Sequence, residues 1–218
     1  MSEHLVLHST IMERCICTME RKEYSAGAVK HSFWFMEFRN EVKLLSEGKT
    51  FEEIRELCKT ENIFASATPE RAIQTYNAVT ARIKALGDSF YPVFMNGDVS
   101  TQKLFALAAM MVNDTLFFDF VYEVIREKMI IGSNEYSQSD LNIFFKDKQL
   151  QCEKMAGWSE TTLGKLSRNY KTYLYEAGVT DKGKDVRKIY KPILEPDMER
   201  WLIDNDMKQI VKALSGVR

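Results

Sequence analysis

The sequence predicts a mainly α-helical protein, in which an N-terminal helical bundle is followed by a C-terminal winged-helix-like segment with a small β-hairpin. Three observations carry this. Apolar residues recur at helical rather than alternating spacing through most of the 218 residues. Capping and stop signals bracket those runs. Eleven methionines and thirteen phenylalanines, with only four prolines, suit helix-on-helix packing better than sheet. With 45% hydrophobic residues the chain can bury a core, and no low-complexity tract or internal repeat breaks it.

Residues 1–23 read as a mixed, polar tail. His4 and His8 stand four apart with Cys15 and Cys17 nearby, but these lack the paired spacing of zinc modules, so no metal is expected. Residues 28–47, with Phe33, Trp34, Phe35 and Phe38, predict a largely buried helix stopped by Gly48. Thr50 and Glu53 form a capping box ahead of Phe51, Ile54 and Leu57, which marks a short second helix. Thr68 and Pro69 open a third, whose stripe of Ile73, Tyr76, Val79, Ile83 and Leu86 ends at Gly87. Arg71, Gln74, Ala78 and Arg82 form its polar row, a secondary surface for backbone contacts. The connection between the second and third helices is too long for a helix-turn-helix.

Residues 88–97 read as a loop, on Pro92 and the turn pair Asn96 and Gly97. Helices over 101–112 and 115–131 follow, divided by Asn113 and Asp114. The second, with Leu116, Phe117, Phe118 and Phe120, is apolar on more than one face, as a central helix is. Residues 132–138 then form the expected linker between a bundle domain, 1–131, and a winged-helix-like domain, 139–218. Beyond it Ser139 can cap a helix containing Leu141, Ile143, Phe144 and Phe145, and a short helix is expected over 150–155.

Residues 159–191 carry the functional signal. Leu163, Leu166, Tyr170, Tyr173, Leu174 and Ala177 fall on one side of a helix, and Gly164, Lys165, Arg168, Lys171, Thr172 and Tyr175 on the other. Ser159 is the expected N-cap and Gly178 the stop. A strand over 179–182, a turn at Gly183 and an extended run over 186–193 would complete a wing. Eight Lys and Arg face four Asp and Glu in this segment, a local +4 in a chain of net −1. Such a field favours a polyanion. Lys165, Arg168 and Lys171 would meet phosphates or the major groove of double-stranded DNA, with Thr161, Thr172 and Tyr175 adding hydrogen bonds. Lys182, Lys184, Arg187, Lys188 and Lys191 would grip the flanking backbone. Pro192 and Pro196 end the extended run, and Trp201, Leu202 and Ile203 begin a helix that packs back.

No phosphate-binding glycine loop, paired-His metalloprotease motif, nucleophile elbow or kinase set is present. Glu41 and Lys43 have the spacing of a metal-dependent nuclease, and Asp204 and Asp206 are neighbours. Glu41 however lies in a predicted helix and the aspartates at a helix end, whereas that chemistry needs carboxylates converging from a sheet. Catalysis and cofactors are not expected. The first ten residues lack a secretory pattern, and the longest apolar run, 104–112, is nine residues, too short to span a bilayer. The four cysteines have no disulfide-framework spacing. A cytoplasmic protein that does not enter a membrane is expected.

The pattern also resembles a known family. Glu41, Leu44, Leu45 and Gly48 stand in the first segment, then Glu61, Asn62, Thr68 and Arg71, then Arg82, Ile83 and Leu86. Asp119, Phe120 and Lys128 follow, with Ser159, Thr162, Lys165, Leu166, Ala177 and Gly178 around the basic helix. By their order the chain is identified as a member of the BrxA family, accessory proteins of bacterial BREX phage-exclusion systems. The resemblance runs from about Tyr24 to Leu214. It implies a helical bundle similar to the antitermination factor NusB, double-stranded DNA binding without catalysis, and other BREX proteins as partners. The NusB likeness keeps RNA open as a ligand. The family has also been labelled an inner-membrane protein, a label at odds with the missing spanning segment.

Overall fold

A computed structural model describes residues 21–217, and several of its helices begin where a side chain satisfies a free backbone N–H group. A 3-10 turn at Gly27–Lys30 leads into α1, Phe35–Ser46. Helix α2, Phe51–Thr60, opens on the Thr50 and Glu53 capping box that the sequence predicts, with both hydrogen bonds made. Helix α3, Pro69–Leu86, starts from Thr68 and stops at Gly87, whose φ of 83° suits glycine. Helix α5, Val99–Asn113, is capped by Asp98, and Asp114 caps α6, Thr115–Ile130. A π-helical turn over Val121–Ile125 interrupts α6.

Beyond α6 come β1, Glu135–Ser137; α7, Gln138–Gln151; α8, Glu153–Ala156; and α9, Glu160–Glu176. The chain then forms β2, Val186–Lys188, α10, Pro196–Asp204, and α11, Lys208–Ser215. The fold is mainly α with one small antiparallel sheet, in which Glu135, Tyr136 and Ser137 pair with Lys188, Arg187 and Val186.

One continuous apolar core joins the elements on both sides of β1. Phe94 meets Phe38, Phe90 and Phe105 edge to face, and Trp201 of α10 lies 5.6 Å from the Phe105 ring. Further along, Phe117 and Phe120 of α6 meet Phe144 and Phe145 of α7 through Tyr170 and Tyr173 of α9. The C-terminal helices thus close back on the first half of the chain. A smaller cluster of Ile54, Cys58, Phe64 and Tyr76 fixes α2 on α3.

Several expectations change. Residues 88–97 are not all loop, because Tyr91–Asn96 forms α4 with Pro92 in its first turn, where no helical N–H is lost. The stretch 132–138 contains β1. Its Ser137, rather than Ser139, caps α7, since the acid three residues on is Asp140, and the two exchange hydrogen bonds. The short helix expected over 150–155 begins only at Glu153, after Cys152 breaks the chain.

The expected hairpin between 179–182 and 186–193 reduces to one bridge, Thr180 with Ile189, and β2 takes β1 as its partner instead. Asp181 Oδ1 accepts from the backbone N–H groups of Gly183 and Lys188, closing the turn that separates the segments. Gly183 is required there, because a Cβ would sit 1.9 Å from the Val186 carbonyl oxygen.

The expected tail 1–23 lies outside the described residues up to position 20, so His4, His8, Cys15 and Cys17 are not placed. Its end is docked: Arg21 pairs with Asp119 and Lys22 N–H donates to Thr115. No single helix among the described residues is long and apolar enough to cross a membrane. Helices α5 and α6 pass that test only as a pair, and they are bent by 113°.

Candidate nucleic-acid interface

Helix α9 is positioned by its apolar side. Leu166, Ser167, Tyr170, Tyr173 and Leu174 are buried, and Ser159 caps the helix by accepting from Thr162 N–H. Gly178, at φ 80°, turns the chain out of it toward the sheet. One flank of α9 also holds down the segment before α1. Asn169 Nδ2 donates to the Ala28 carbonyl at 2.7 Å, and Tyr173 OH donates to that of His31 at 2.7 Å. Arg82 completes the strap from α3 by donating to the carbonyls of Phe33 and Ser32. That arginine, expected on a polar row, is buried with Ala78, which leaves Arg71 and Gln74 exposed on that row and bonded to each other.

The opposite flank faces solvent. Thr161, Lys165 and Arg168 are exposed, as are Lys182, Lys184, Lys188 and Lys191 beyond the helix. Tyr175 is 42% exposed, and Lys182 Nζ sits 5.8 Å from its ring centroid. Thr172 is half-buried and donates to the Arg168 carbonyl within the helix. Lys171 is half-buried and donates to Gln138 Oε1 at 2.8 Å. Arg187 reaches from β2 to α9, donating to the carbonyls of Gly183 at 2.9 Å and Lys171 at 2.7 Å. It therefore links the strand to the helix as well as adding charge.

The electrostatics follow from this arrangement. Burial lowers the Lys171 pKa, Arg187 and Arg168 lower it further by repulsion, and Asp185 opposes them. Among the described residues no carboxylate forms an ion pair with Lys165, Arg168, Lys171, Lys182, Lys184, Arg187, Lys188 or Lys191. Elsewhere Lys148, Lys128, Arg126 and Lys154 are all paired. A surface of eight cations against the four carboxylates of Glu160, Glu176, Asp181 and Asp185, with none of the eight in an ion pair among the described residues, attracts an external anion.

Gln138 is the residue that sequence reasoning missed. At the start of α7 it accepts from Lys171 and exchanges hydrogen bonds with Ser167, so it orients the outer face of α9 from below. Nothing in its local sequence separates it from an ordinary loop glutamine. Among the described residues no cluster of His, Cys, Asp and Glu could hold a metal.

Comparison with known proteins adds a relationship. The BrxA family model matches residues 22–206. A protein of Bacillus cereus (strain H3081.97), named BREX protein BrxA, is 34% identical over 180 residues, covering 83% of this chain and 90% of the relative. A second protein of that name, from Paramagnetospirillum magneticum (strain ATCC 700264 / AMB-1), is 20% identical over 196 residues, covering 90% of this chain and 98% of its own length. The crystal structure of an uncharacterized protein from Magnetospirillum magneticum superposes with a TM-score of 0.76 at 18% identity. It covers 90% of this chain and all of that one, which establishes a shared fold.

Proposed function

The chain belongs to the BrxA family, and from that premise we propose that it is a cytoplasmic, non-enzymatic accessory protein of a BREX phage-defence system that binds double-stranded DNA. The observation that carries the reading is the group of eight cations on α9 and the 182–191 segment, none of them in an ion pair among the described residues. The order of elements supports it. Strand β1, helices α7, α8 and α9, the Thr180 bridge and β2 follow one another as in a winged helix, with α9 in the place of the recognition helix. In this reading residues 139–217 face the DNA and residues 21–131 support them through the shared core.

Lys165 and Arg168 meet the duplex from α9, with Lys171 behind them, and Thr161 and Tyr175 add hydrogen bonds. Lys182, Lys184, Lys188 and Lys191 follow the flanking phosphates, and Arg187 keeps strand and helix in register. Sequence preference is weak, because the exposed face offers no Asn or Gln for adenine, and Arg168 is its one candidate for guanine.

Neutralising about four phosphates gives a slope of log K against log salt near −3.6. A titration with duplex DNA at several salt concentrations checks this, and a flat response rejects the phosphate model. Replacing Lys165, Arg168 and Lys171 together with Glu abolishes binding while the circular-dichroism spectrum stays helical; retained binding moves the site elsewhere.

A second reading, a scaffold for other BREX proteins, is favoured by Ile131 and Ile143, which are 70% and 60% exposed beside Glu127 and Asp147 on the groove between α6 and α7. Exposed apolar surface of this kind marks protein contacts. Competition between duplex DNA, single-stranded DNA and RNA, with a parallel co-purification, separates the readings, including the RNA binding that a NusB likeness implies.

A further inference from the structure

Behind the C-terminal end of α9 lies a cleft of about 660 Å³, within the ~300–1,000 Å³ typical of small-molecule sites. Four parts of the chain build it. The strapped segment before α1 supplies Trp34, and α1 supplies Phe35 and Glu37. Helix α5 gives Lys103, and α9 gives Tyr175 and Glu176. Trp34 is held there in the left-handed region, at φ 53° and ψ 49°, a conformation disfavoured for a bulky aromatic residue. Its indole carries the guanidinium carbons of Arg71 and Arg82, each 5.4 Å from the ring centroid. Arg82 is one of the hydrogen-bonding straps described above, so the same contacts that place the segment also place the ring.

The polar groups have a definite arrangement. Arg71 and Arg82 lie over Trp34, Lys103 lies 5.8 Å from the Phe35 ring centroid, and Lys182 lies over Tyr175. Of these cations Lys103 lines the cleft beside Glu37 and Glu176, and among the described residues neither carboxylate forms an ion pair. The cleft walls partly desolvate Glu176, which raises its pKa, while Lys103 pulls it down and Glu37 pushes it up. Glu176 is exposed and Glu37 half-buried, so each carboxylate, with no ion-pair partner among the described residues, can accept donors from a ligand.

We propose that this cleft binds an unpaired guanine base, with Tyr175 and Phe35 stacking on the ring, Glu176 accepting from its Watson–Crick edge and Lys103 meeting its phosphate. Aromatic walls take any base by stacking, and Lys103, the cation among the lining residues, suits a phosphate-bearing ligand. The carboxylate selects among bases. Guanine presents two adjacent N–H donors, N1 and N2, on that edge, whereas adenine and cytosine present one amino group and thymine a single imide N–H flanked by carbonyls. The proposal stands apart from duplex binding by the outer face of α9, although Tyr175 borders both surfaces.

The test uses the full chain with fluorescein-labelled pentadeoxynucleotides, thymine at four positions and guanine, adenine, cytosine or thymine in the centre. Anisotropy should show the guanine strand bound about tenfold tighter than the thymine strand, the scale of one specific base-edge contact. Equal affinities, or no binding of any strand, overturn the proposal. Glu176→Gln should remove the guanine preference and keep stacking affinity, and Tyr175→Ala should weaken all four strands alike, with circular dichroism unchanged in both; a preference that survives Glu176→Gln overturns the assignment. Guanosine monophosphate titrated alone tells a free nucleotide from a base carried on a strand. The variant with glutamate at 165, 168 and 171 should keep the guanine preference even where duplex binding is lost; its loss there would place the strand on α9 and overturn the cleft site.

Discussion

Around Asp119 every charge is answered inside the protein. This carboxylate is 2% exposed, and it accepts from Arg21 at 2.7 Å and Tyr24 at 2.6 Å. Lys148 approaches it to 3.4 Å and also pairs with Glu123 at 2.6 Å. Along α9 and β2 the situation reverses, with cations side by side and none of them in an ion pair among the described residues. The two regions use charge for different ends. Burying an ion is costly, so the charges around Asp119 persist because partners satisfy them, and the result ties residues 21–24 to α6 and α7. The exposed cations of α9 and β2 keep most of their hydration and contribute little to stability, so their charge remains for an outside anion.

The contrast is broken most directly at Asp119. Asp119→Ala leaves Lys148, whose side chain is 6% exposed, with only Glu123 as an ionic partner, and frees Arg21 from its contact. Removing one partner of a buried pair costs about 3–5 kcal/mol. Urea unfolding should show a loss of that size, with the cleavage site of a limited-proteolysis digest moving to residues 21–24. A loss below about 1 kcal/mol would place this cluster with ordinary surface pairs.

Glu41 is an intermediate case, buried but only half answered. Thr80 donates to one of its oxygens, while the other has no hydrogen-bond partner among the described residues. Burial raises its pKa to about 8 from 4.5, against the pull of Thr80 and Lys84. The folded protein therefore favours the protonated form. That stability is fully present below pH 4.5 and is lost as pH rises through about 8. Between pH 5 and 8 the loss is on the order of 3 kcal/mol. Urea midpoints should fall over this range, and Glu41→Gln, which cannot ionise, should flatten the dependence. An unchanged slope in that variant assigns the pH response elsewhere.

What the sequence made legible divides along the same line. Local chemistry was readable: Thr50 with Glu53, Thr68 before Pro69, Ser159 and Gly178 all act as their residue types require. The apolar side of α9 was readable too, because periodicity is a property of one element. Pairing between distant segments was not. Residues 135–137 are too short and too polar to announce a strand, and they become one through 186–188, about fifty residues on. Arg82 looked like part of an exposed row, since its burial depends on carbonyls offered by Ser32 and Phe33. For the same reason Arg187 looked like its lysine neighbours, although its guanidinium is bonded to two backbone carbonyls. Each of these departures from the local pattern comes from contacts far apart in the chain.

The smallest expected effect on stability gives the sharpest test of the comparison. Lys188 sits in β2 beside Arg187, and its backbone, not its side chain, makes the structural bonds, with its N–H donating to Asp181 and its carbonyl accepting from Asp181 N–H. The Lys188 side chain is exposed and forms no ion pair among the described residues. Lys188→Ala should therefore change unfolding free energy by less than about 0.5 kcal/mol. If its ammonium neutralises one phosphate, the same variant should reduce the steepness of log K against log salt by about 0.9, weakening duplex binding similarly for every sequence. Measured together, stability and salt slope separate the two uses of charge at one position. A destabilised variant with an unchanged slope would put Lys188 in the class of Asp119, and the division between charges that hold the fold and charges left for a ligand would fail at that residue.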